Sequence, residues 1–315
     1  MSRRIHLTLI RKTEEWMTNL AKHQLGFAAL WAVSLLLRWR ALVDTFTLAL
    51  RDDQQTYLLL ILPVSAALIF LEWRPLRTVV ALNVRGGFVF LTSAVLIAGS
   101  AFGWPVAAPS DVQLSIRMLA LVLWWIGAFL LCFGSRASRL VTFPLCFLLG
   151  LIPLPQLAVR AIVALLQQGS AWAARVLFEV CGVPVMQDGV LLTIPGLTLQ
   201  VAKECSSIRS SSMLLVTTMV LAQLMLRSPW RKALVIGLAV PLSVAKNGLR
   251  IFTIAMLGTR VDPAYLTGRL HHEGGIVFFA IILLLTFAVL WILRKGEGLS
   301  RESTLRLREA RTIES

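Results

Sequence analysis

The sequence predicts an all-α integral membrane protein of about eight transmembrane helices, with one interfacial amphipathic helix and a small outer-face β-hairpin before the sixth span. Three observations carry that expectation. Hydrophobic residues make up 57% of the 315 residues and charged residues only 15%, whereas a soluble domain carries roughly a quarter charged. The mean hydropathy is +0.77. Apolar runs near the ~20 residues that a bilayer crossing requires recur over about 24–41, 55–72, 86–104, 115–133, 138–154, 206–226, 232–257 and 273–293. No stretch is left for a soluble domain, so the net charge of +15 is read as basic residues held on one side of a membrane and not as a nucleic-acid surface.

Residues 1–23 form a cytoplasmic N-terminal segment. Arg3, Arg4, Arg11 and Lys12 are interspersed with Glu14 and Glu15, and the compact apolar core and small-residue cleavage site of a signal peptide are missing. The first span runs uninterrupted only from Leu25 to Leu37, and Arg38 and Arg40 beyond it can snorkel to an interface. Residues 24–293 make up one multispan domain, and 294–315 a basic cytoplasmic tail. Eight spans put both ends on the same side. The ends and the connectors on that side hold 19 of the 31 basic residues, so the positive-inside rule makes both termini cytoplasmic.

The segment 155–180 is apolar at helical spacing but broken by Arg160, Gln167, Gln168, Arg175 and Glu179. That pattern suits an interfacial amphipathic helix. Between 183 and 204, Asp188-Gly189 and Pro195-Gly196 are turn signals around the short runs Val190–Ile194 and Leu197–Val201, which predicts the small hairpin.

Polar residues gather at the outer ends of the last three spans. Glu204-Cys205-Ser206-Ser207-Ile208-Arg209 opens the sixth, where a helix N-terminus favours a thiolate and serines can cap the helix. The bland alternatives for Cys205 are an inert small residue or a disulfide to Cys181. Cys132 and Cys146 lie inside apolar runs as packing residues. Lys246, Asn247 and Arg250 lie within the seventh span. Lys246 and Arg250 are four apart and share a helical face, and about 28 Å of helix separates Arg250 from Arg231, near the outer edge of the hydrocarbon. His271, His272 and Glu273 open the eighth span. Adjacent histidines point in different directions on a helix, so a metal site is not expected. A thiolate, an imidazole and a fixed cation at one depth are the parts of acyl transfer.

The order ECSSIRSS at 204–211, NGLRI at 247–251 and LHHEGGIVFF at 270–279 resembles the exosortase/archaeosortase family. The resemblance extends upstream through FPLCFLLGLIPLP at 143–155 and the run from Gly182 to Cys205, and covers about residues 50–293. Ser206-Ser207 stands where the family commonly has Ser-Gly or Ala-Gly. The resemblance implies Cys205 as nucleophile, Arg250 as catalytic arginine, and one of His271 and His272 as catalytic histidine, with the count of four back from Gly275 selecting His271. Glu204, Arg209, Lys246, Asn247 and His272 are supporting candidates. It further implies a sorting protease or transpeptidase of the bacterial cytoplasmic membrane. Its partners are exported proteins ending in a short motif such as Pro-Glu-Pro, one helix and a basic cluster, together with membrane lipid, and no cofactor is expected. The rival reading is a transporter or export component that binds an anion at Arg250, Lys246 and His271. Against it, no duplicated halves are visible.

Overall fold

The computed structural model describes residues 2–77, 84–103, 110–201, 208–266 and 275–313. Among these, seven helices are long and apolar enough to cross a membrane: Ala21–Arg51, Asp53–Leu71, Ser110–Leu140, Gln156–Val180, Ile208–Met225, Pro229–Arg260 and Gly275–Glu297. Large apolar side chains such as Leu36, Leu157 and Ile276 stand exposed along them, as lipid-facing surface does. The chain is an all-α integral membrane protein with one small sheet. It divides into two compact units, Met1–Gln156 and Leu157–Ser315.

In the first unit, α1 (Ser2–Arg51) leaves helical geometry at Arg38. It is followed by α2 (Leu58–Leu71), α3 (Trp73–Arg77), α4 (Val84–Gly103) and α5 (Ser110–Leu140). α4 and α5 approach through two glycines. A Cβ on Gly87 would lie 2.6 Å from Leu131 Cβ, and one on Gly127 would lie 3.0 Å from Leu91 N, so only small residues let these backbones close up. Inside α5, Gly134 takes φ 81°, a conformation only glycine adopts freely.

The stretch expected as a continuous fifth span, 138–154, is broken. It contains α6 (Thr142–Phe147), a 3₁₀ turn at Leu148–Leu151 and extended chain, because Pro153 and Pro155 hold their preceding residues out of the helical region. The segment runs back along α2. A Cβ on Gly150 would touch Ile61 at 3.0 Å, and Gln55 bonds both the C=O and the N–H of Leu154 at 3.3 and 3.2 Å. Ser115 donates to the Pro153 carbonyl at 2.7 Å.

The second unit is built on α7 (Gln156–Val180), the sheet, α8 (Ile208–Met225), α9 (Pro229–Arg260), a 3₁₀ turn at Pro263–Leu266 and α10 (Gly275–Ile313). α7 occupies the segment expected as an interfacial helix. Its 25 residues also reach the length and composition of a crossing, and some of its polar side chains have partners. Arg175 pairs with Glu179 at 2.7 Å, and Gln167 donates to the Val201 carbonyl at 2.9 Å.

The predicted hairpin is present, extended by a third strand. β1 (Met186–Asp188), β2 (Leu191–Ile194) and β3 (Leu197–Gln200) form an antiparallel meander. Its two turns carry Gly189 at φ 58° and Gly196 at φ 83°. One sheet face, with Leu192 and Ile194, packs on Ala171, Ala174 and Phe178 of α7 and on Ile251 and Ala255 of α9. At the far end of α9, Glu297 of α10 accepts from the backbone N–H of Arg227 and Ser228 at 2.9 Å each. Arg231 there donates to the Leu293 carbonyl at 2.6 Å.

Candidate functional site

The site is organised by one stripe on α9. Ser243, Lys246, Asn247 and Arg250 recur at intervals of three and four, which puts them on one helical face. Ser243, Lys246 and Asn247 are buried and Arg250 is half-buried. Polar side chains at bilayer depth need partners, and α8 supplies two. The Ser211 and Ser243 hydroxyls are hydrogen-bonded at 2.6 Å, and Lys246 Nζ donates to Ser210 Oγ. Ser210 and Ser211 therefore lie inside α8 and act as bridges between helices. Ser212 bonds back to the Arg209 carbonyl at 3.1 Å.

Arg250 stands at the C-terminal end of this stripe. A Cβ on Gly275, the first described residue of α10, would meet Arg250 Nη1 at 3.7 Å and Cζ at 4.0 Å. The guanidinium thus lies against the start of α10. Asn247, one turn below, has its Nδ2 buried with no hydrogen-bond partner among the described residues. Gly248 allows α9 to meet α7, since a Cβ there would lie 2.5 Å from Ala173 Cβ and 3.0 Å from the Ala173 and Ala174 backbone. A cavity of about 200 Å³ opens beside Arg250, with Leu197, Leu199 and Val201 on one wall and Ile251, Ile254 and Ala255 on the other.

Of the residues singled out from the sequence, Lys246, Asn247 and Arg250 share this stripe. Arg209 is exposed on the first turn of α8. Glu204, Cys205, His271 and His272 lie outside the described residues. Cys132, Cys146 and Cys181 are free thiols. Among the described residues, no group of three or more His, Cys, Asp or Glu is arranged to hold a metal ion. Sequence reasoning missed Ser243 and the bridging role of Ser210 and Ser211. The signal for Ser243 was available, because it continues the Lys246–Arg250 stripe by one turn.

Comparison with known protein families finds a match. The family model described as transmembrane exosortase covers residues 49–288, about three-quarters of the chain and close to the span of the resemblance read from the motifs. Neither a curated protein nor a solved structure matches. The match takes in all three polar clusters, and by it the chain belongs to the transmembrane exosortase family.

Proposed function

We propose that the chain is a membrane-embedded cysteine protease and transpeptidase. It cleaves C-terminal signals made of a short motif, a transmembrane helix and a basic cluster, at the outer face of the bacterial cytoplasmic membrane. Cys205 attacks the scissile carbonyl as a thiolate, and Arg250 donates to the oxyanion of the tetrahedral intermediate. His271 protonates the leaving amine and then deprotonates the water or acceptor amine that releases the acyl group.

The observation that carries this reading is the register of α8 against α9. The rungs Ser211–Ser243 and Ser210–Lys246 run antiparallel. They bring the N-terminal end of α8, which Cys205 precedes by three residues in the sequence, to the face of α9 that carries Lys246 and Arg250. The contact of Arg250 with Gly275 supports the histidine assignment from the other side, since His271 is four residues away in sequence. The bond from Lys246 to Ser210 also weighs against the anion-transport alternative, because that ammonium is engaged between two helices.

The test uses membranes containing the full chain and an exported reporter that ends in such a tail, with mass spectrometry of the new C-terminus. The wild-type chain shortens the reporter, and Cys205→Ala leaves it intact at equal enzyme levels. Full processing by Cys205→Ala ends the cysteine mechanism. His271→Ala is inactive and His272→Ala retains activity, and the reverse pattern transfers the acid/base role to His272.

A further inference from the structure

Among the described residues, β3 is an edge strand of the sheet. It pairs with β2 from Leu197–Ile194 to Gln200–Leu191, and the Val201 N–H continues the ladder to the Val190 carbonyl at 2.9 Å. In an antiparallel ladder, successive residues turn their N–H and C=O alternately toward the partner and away from it. Val201 turns toward β2, as do Leu199 and Leu197. Thr198 and Gln200 therefore present their backbone groups to the opposite edge.

The cavity beside Arg250 lies against β3. Of the three strands, only β3 lines it, and the lining includes Gln200 as well as Leu197, Leu199 and Val201. Alternate residues of a strand point to opposite faces, so a cavity touching both sets lies at the strand's rim. The opposite wall is the apolar flank of α9 together with Leu266 of the 3₁₀ turn. Among the described residues, the result is a slot bounded by β3, whose Gln200 turns its backbone groups outward, by apolar side chains on the other side and by a guanidinium at one end. A lipid chain would fill the apolar half but leave the outward backbone groups of Gln200 unsatisfied, which is costly away from water. An extended peptide satisfies both halves.

We propose that this slot receives the substrate as an added β-strand. The extended segment on the amino-terminal side of the cut pairs with the edge of β3 opposite β2, and one of its apolar side chains enters the cavity. The segment leads its scissile carbonyl toward Arg250. The proposal rests on the protease reading above. A cavity of roughly 150 Å³ accommodates a benzene-sized group, so the volume here suits one medium apolar side chain. In this mode the backbone pairing supplies affinity, and the side chain in the pocket supplies selectivity.

Disulfide trapping tests the proposal. Membranes carrying the full chain as Cys205→Ala/Gln200→Cys are oxidised with a tailed reporter in which single cysteines are walked through eight positions on the amino-terminal side of the motif. The Cys205→Ala parent gives the background. Strand addition yields adducts that alternate at least threefold between successive positions. Adducts of equal yield at every position, or none above background, overturn it. A parallel assay of cleavage with Cys205 intact separates the two ideas. Alternating adducts on a reporter that the wild-type chain never cuts would keep the slot and discard the protease reading. Cleavage without alternation would do the reverse, and failure of both assays discards both.

Discussion

Lys246 Nζ donates to Ser210 Oγ one helical turn before Arg250, so the ammonium that neighbours the arginine is held between α8 and α9. A buried hydrogen bond to a charged group contributes about 1.5–3 kcal/mol, and removing one partner strands the other. Lys246→Ala is therefore expected to lower the thermal stability of the detergent-solubilised enzyme and to slow reporter cleavage several-fold without abolishing it. Cleavage as slow as that of Arg250→Ala would instead make Lys246 a participant in the reaction.

The crossing of α7 and α9 depends on Gly248. The Cβ of Gly248→Ala would come within 2.5 Å of Ala173 Cβ and 3.0 Å of the α7 backbone, and overpacking of this kind costs about 1–3 kcal/mol. A drop in the unfolding temperature is expected, followed by partial recovery in Gly248→Ala/Ala173→Gly, because the backbone contact remains. An unchanged unfolding temperature in the single variant would show that the helices separate there at no cost.

Much of this architecture was legible in the sequence. Apolar run length marked most of the helices, and Gly189 and Gly196 marked both turns of the sheet, because a positive φ in a tight turn calls for glycine. β1 was missed because Met186, Gln187 and Asp188 show neither alternation nor β-branching. The break at 148–155 was foreshadowed by Pro153 and Pro155, but hydropathy averages over them. In the site, helical spacing joined Lys246 to Arg250. No spacing rule, however, pairs Ser211 with Ser243 or sets Arg250 against Gly275, since those contacts depend on how α8, α9 and α10 pack.

Topology separates two roles for α7. If α7 lies in the interface, as its exposed Arg175–Glu179 pair suits, the crossings are α1, α2, α4, α5, the broken 142–154 segment, α8, α9 and α10. Both ends then lie on the side that holds 19 of the 31 basic residues, in accord with the positive-inside rule. Reporter fusions before Met1 and after Ser315 should both be active only in the cytoplasm. A periplasmic signal from the N-terminal fusion, with the C-terminal one cytoplasmic, would make α7 a ninth crossing.

Arg250 offers the sharpest test of the chemistry. A tetrahedral intermediate puts negative charge on oxygen, and little water reaches a half-buried site between helices to stabilise it. Loss of one oxyanion donor typically costs about 10²–10³ in rate, so Arg250→Ala should fall by at least that factor with the protein still at normal levels in the membrane. Lysine retains the charge but replaces a planar fork of five donors with a compact, strongly hydrated ammonium. On α9 it would also stand one turn above Lys246 with no carboxylate among the described residues of the stripe. Arg250→Lys should therefore remain nearly as impaired as Arg250→Ala in single-turnover cleavage of the reporter. A normal rate for Arg250→Lys would show that the position supplies a point charge and not a shaped donor.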